Sequence, residues 1–112
     1  MKSSQKLTKE QVEPFFQQWD RLSAELADLH SQRNKGTKDA LQSGISVYRF
    51  LLAYCREALE DEGFEPLNGT ERLSFIEASP KTYAAYRQMD ELFSELKKTI
   101  ARKRIELNRL NE

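Results

Sequence analysis

Apolar positions recur at alternating steps of three and four in the last third of the chain. They are Tyr86, Met89, Phe93, Leu96 and Ile100, followed past Lys103 by Leu107 and Leu110. A row of this length predicts one long helix laying a stripe against other helices. Its heptad spacing favours shallow left-handed crossings near about +20°. The row names no substrate, cofactor or reaction.

The same reading upstream predicts three more helices. Val12, Phe15, Phe16, Trp19, Leu22, Leu26 and Leu29 share one face of a helix over 9–34. Thr8 with Gln11 forms a capping-box pattern at its start. Pro14 either bends this helix or marks a later start near Glu13. Gly36 is available as a left-handed stop.

A second helix over 38–62, capped by Thr37 and stopped by Gly63, has two apolar faces. One is Leu41, Ile45, Tyr48, Leu52, Cys55 and Leu59; the other is Val47, Phe50, Leu51, Tyr54 and Ala58. Cover on two sides would put this helix at the centre. Gly44 within it reads as a place where a neighbour packs closely over Ala40 and Gly44, in preference to a hinge. Asn68 with Glu71 opens a short helix over 69–78. Ser79 and Pro80 read as the cap and first position of the last helix, 80–110. The predicted fold is all-α: an antiparallel bundle of three long helices running up, down and up, with the short helix covering one end. Residues 1–7 read as a mobile tail and 8–112 as a single helical domain.

Composition narrows the function classes. Eighteen basic and eighteen acidic residues cancel in 112, so no overall field draws the chain to nucleic acid or an anionic membrane. No apolar run approaches the ~20 residues of a membrane span, and the polar first ten residues contain no signal-peptide core. A lone cysteine, Cys55, fits a reducing, cytoplasmic setting and a small buried hydrophobe. The only histidine, His30, sits near the end of the first helix, where a capping role suits it. Asn68-Gly69-Thr70 matches a glycosylation acceptor by chance. No catalytic, cofactor-binding or metal-ligating set is expected.

Two charge clusters remain. Glu57, Glu60, Asp61, Glu62 and Glu65 crowd the end of the second helix, where acids oppose the helix dipole. Lys97, Lys98, Arg102, Lys103 and Arg104 form a basic run on the last. If those two helices are antiparallel, the clusters lie apart within one chain, which makes pairing between chains or with another protein the expectation. Leu107 and Leu110 beside the basic run are expected to overhang the bundle. Arg72, Tyr83 and Arg87, near Tyr86, form a second candidate contact spot. The functional expectation is a non-enzymatic protein-contact or adaptor module, self-association included. The alternative is a nucleic-acid-associated accessory protein using the basic run. Against it, Asp90 to Glu112 holds six basic and five acidic residues, a local net of +1. An enzyme built on Glu57 and Asp61 with tyrosines of the last helix lacks any nucleophile, metal or cofactor.

The stretch Pro66-Leu67-Asn68, Glu71-Arg72-Leu73, Phe75-Ile76, Ser79-Pro80, Tyr83, Tyr86, Leu92-Phe93 and Glu95-Leu96 resembles the C-terminal part of the YpoC-like family, small uncharacterised proteins of Gram-positive bacteria. The resemblance covers a third to a half of the chain, and the first half offers nothing to match. It implies a bacterial, cytosolic helical protein and carries no functional residue over.

Overall fold

In the computed structural model, residues 7–110 are described and form four helices: α1 (Lys9–Ser31), α2 (Thr37–Leu59), α3 (Gly69–Ala78) and α4 (Tyr83–Leu110). The all-α reading holds, and α1, α2 and α4 are the three long helices. Thr8 precedes α1, and its N–H donates to Gln11 Oε1 at 3.3 Å, as the capping pattern required. Pro14 lies inside α1, so the later start is not used.

Four helix ends differ from expectation, each because another residue takes the terminal role. Arg33 takes the left-handed conformation after α1 (φ 53°) and Gly36 does not. Gly36 instead precedes α2, its N–H donating to Asn34 Oδ1 at 2.8 Å, and Thr37 is the first helical residue. Glu60 ends α2 left-handed (φ 54°), three residues before Gly63. Pro80 does not open α4. Ser79 to Thr82 form a turn, and Thr82 Oγ1 accepts the Ala85 N–H at 3.0 Å, so the helix starts at Tyr83.

Long-range contacts fix the helix directions. Arg104 Nε–H donates to the Leu7 carbonyl, Phe16 meets Phe93, Trp19 Nε1–H donates to Asp90, and Ser23 meets Tyr86. α1 therefore runs antiparallel to α4. Phe15 meets Phe50 and Tyr54, while Trp19 lies over Gly44, so α1 is also antiparallel to α2. Arg49 pairs with Glu77, and Arg72 reaches from Gln88 to Glu95. The short α3 is thus a full leg beside α2 and α4 and not a cap over one end. The order is up, down, up, down, and α2 and α4 run parallel. The molecule is elongated, 52 × 25 × 17 Å.

The core is the predicted seam and its targets. Tyr86, Met89, Phe93, Leu96 and Ile100 are all buried. Phe93 lies at the centre, stacked on Trp19 with centroids 4.7 Å apart and planes 8° apart, and met edge-on by Phe16 and Tyr48. Gly44 is the close approach read from sequence: a Cβ there would come 2.5 Å from Trp19 Cζ3. Leu7 is fully buried and belongs to the core, not to a tail. The rest of the expected tail, 1–6, lies outside the described residues, as do 111–112. The second face of α2 is only partly covered. Phe50 is 68% exposed and stacks on Phe15 at the surface.

Candidate functional site

A half-open groove of about 950 Å³ lies between α2 and α3. Its lining includes Tyr48, Leu52, Ala53 and Leu73, with Arg49, Arg56, Glu57, Glu60, Glu62, Glu65 and Glu77 as the charged members. It exists because α3 packs mainly on α4, leaving its other side apart from α2. Buried Ile76 packs α3 into the core, and Arg72 ties it to α4. Its guanidinium takes Gln88 Oε1 at 3.2 Å, pairs with Glu95, and lies 3.7 Å from Glu91, all on α4, while also donating to the Leu67 carbonyl.

The groove's charges are not balanced. Arg49 pairs with Glu77. Arg56 lies 3.7 Å from Glu65, and its Nε–H is fixed on the Phe64 carbonyl at 2.9 Å. Both arginines are therefore already neutralised. Glu65 also accepts the Thr70 hydroxyl at 2.7 Å. Among the described residues, Glu57, Glu60 and Glu62 enter no ion pair, so the rim keeps three uncompensated carboxylates. Asp61 is used locally, accepting the Gly63 N–H at 3.0 Å.

Tyr48 lines this groove, yet its hydroxyl is buried and has no hydrogen-bond partner. Burial, and after it the Glu65 carboxylate, pushes its pKa up to about 12. A buried unpaired hydroxyl costs about 1–3 kcal/mol of stability. Cys55 is fully buried, and burial pushes its thiol up to about 12. It stays protonated at neutral pH, as buried thiols in apolar surroundings do. Among the described residues no group of three or more His, Cys, Asp or Glu side chains is placed to hold a metal ion, and no helix is long and apolar enough to cross a membrane.

The residues singled out from sequence do not form one site. Lys97 Nζ lies over the Phe16 ring, 5.5 Å from its centroid. Arg104 is held on Leu7, and Lys103 lies 3.5 Å from Glu106. Leu107 packs partly on the core, whereas Leu110 is 81% exposed. Arg87 lies 3.8 Å from Asp90, the carboxylate that accepts the Trp19 indole N–H at 2.9 Å. Tyr83 is exposed, with its ring edge-on to His30. Arg72 works inside the fold, away from that pair, so the second candidate spot is divided.

Lys98 and Arg102 do stay together. With Ile105 and Arg109 they repeat at steps of four, three and four, which puts all four on one helix face, and all four are exposed. Because α2 and α4 are parallel, this stripe lies at the same end of the molecule as the acidic rim, contrary to the separation expected from an antiparallel pair. Sequence reading missed Ile105 and Arg109, although the 4-3-4 spacing was there to find. The groove itself was not readable, because Tyr48 and Leu52 look like ordinary core.

No curated protein and no solved structure matches the chain. The family model described as YpoC-like protein matches residues 9–108, which takes in α1 and α2 as well as the C-terminal half that carried the resemblance. Because that match spans most of the 112 residues, the chain belongs to the YpoC-like family.

Proposed function

We propose that this protein is a non-enzymatic, cytoplasmic interaction module whose α2–α3 groove receives a basic amphipathic helix of another polypeptide. The observation that carries this reading is the groove's combination of an apolar floor with three uncompensated carboxylates. Helix-in-groove recognition uses an apolar floor for the helix's anchors, and opposite charge at the rim adds steering and specificity. At about 950 Å³ the groove is at the large end for a small-molecule pocket, and it is open along its side. That shape suits one face of a helix better than an enclosed metabolite.

Nucleic-acid association is the weaker reading. Lys97 and Arg104 turn onto Phe16 and Leu7, so the basic run does not present the broad footprint that phosphate binding needs.

The test is a titration with a labelled helical peptide of about 15 residues carrying Lys or Arg at one face and Leu at its centre. Binding is expected, weakening with salt. Neutralising the rim with Glu57→Gln, Glu60→Gln and Glu62→Gln is expected to weaken it by roughly tenfold or more. Equal affinity for the neutralised variant contradicts the proposal.

A further inference from the structure

We infer that the groove's occupant is the distal end of α4 from a second copy of this chain. The inference rests on the helix-in-groove reading and names its partner.

Charge complementarity singles out this segment. From Lys97 to Leu110 the chain carries six basic residues and one acidic, Glu106. Three of those cations, Lys98, Arg102 and Arg109, share one face with Ile105, which is 53% exposed. The groove offers the counterpart: Glu57, Glu60 and Glu62 without partners around a floor of Leu52, Ala53 and Leu73. Three cations flanking one apolar side chain thus meet three carboxylates around an apolar floor.

Placement adds to this. α4 meets Leu7 at Arg104, just before α1 begins at Lys9, so Ile105 to Leu110 extend past the start of α1. At ~1.5 Å per residue that overhang is about 9 Å. It projects from the end of the molecule where the acidic rim stands. Two copies meeting at that end around a two-fold axis each offer a stripe to the other's groove, an isologous exchange that closes on itself.

Sedimentation velocity on the full chain tests this with a charge exchange. The wild type is expected to sediment as a dimer at high micromolar concentration. Glu57→Lys, Glu60→Lys and Glu62→Lys together are expected to give a monomer, and so are Lys98→Glu, Arg102→Glu and Arg109→Glu together. Mixing the two monomeric variants is expected to restore the dimer, because each stripe then faces a groove of opposite sign. Restoration cannot come from misfolding, and circular dichroism of each variant alone checks helix content. A wild type that stays monomeric, or variants that stay apart on mixing, overturns the inference. If the wild type is monomeric but the basic peptide still binds, the groove reading stands and only the identity of the occupant fails. If neither occurs, both fail.

Discussion

Trp19→Ala is expected to lower stability by about 3–5 kcal/mol, as for other large buried aromatics, and to reverse the sign of a second substitution, Gly44→Ala. Trp19 joins three helices: it sits on Gly44 of α2, stacks on Phe93 of α4, and donates to Asp90 of α4. In the wild type a Cβ at Gly44 would lie 2.5 Å from Cζ3 and 3.0 Å from Cε3 of the indole. The ring cannot move aside cheaply, being held by its stack and its N–H bond. Gly44→Ala should therefore cost about 1–3 kcal/mol of overpacking strain. That exceeds the gain of about 1 kcal/mol that alanine brings to a helix interior. In the Trp19→Ala background the obstruction is gone, and Gly44→Ala should become stabilising by about 1 kcal/mol. Urea midpoints at constant slope for the four chains measure both effects. The same sign in both backgrounds would show that Gly44 is retained for some reason other than the indole.

Alkaline pH is expected to unfold the protein steeply. Cys55 and Tyr48 are both held neutral by burial, with pKa values pushed from 9.0 and 10.0 up to about 12. Unfolding exposes both, and the unfolded chain then releases protons that the folded chain retains. The unfolded state binds fewer protons above pH 9, so stability falls as pH rises. The loss begins near pH 9 for Cys55 and near pH 10 for Tyr48, and is complete for each near pH 12. Each group costs about 1.4 kcal/mol per pH unit across its own window. Melting temperatures from pH 7 to 11 should be flat at first and then drop. Cys55→Ala should delay the onset toward pH 10, although it lowers stability at neutral pH. An onset unchanged by Cys55→Ala would contradict the burial argument.

How far the sequence revealed this molecule depended on the kind of signal. The heptad row on α4 was legible because one long helix buries one continuous stripe, and periodicity survives without knowledge of neighbours. Gly44 was legible for a related reason, since a glycine inside a strong helix pattern needs a packing cause, and Trp19 supplies it. Helix ends were less legible. Arg33 and Glu60 took left-handed roles that Gly36 and Gly63 suit better by type, and Thr82 took one for which Ser79 was equally suited, so local preference did not decide these ends. The direction of α4 turned on whether a ten-residue helix counts as a leg. It does: Arg72 joins α3 to α4 through Gln88, Glu91 and Glu95, and Ile76 is buried in the core. Once α2 and α4 are parallel, acidic rim and basic stripe share one end, and the groove follows from the gap α3 leaves beside α2.

Binding of a basic helix in the α2–α3 groove would place that helix along Leu52, Ala53 and Leu73. Amide chemical-shift mapping on addition of the basic peptide reads that placement residue by residue. The largest shifts are expected on Leu52, Ala53, Glu57 and Leu73 along the groove. Shifts centred instead on the exposed Phe15–Phe50 pair, or none along the groove at saturating peptide, would contradict it.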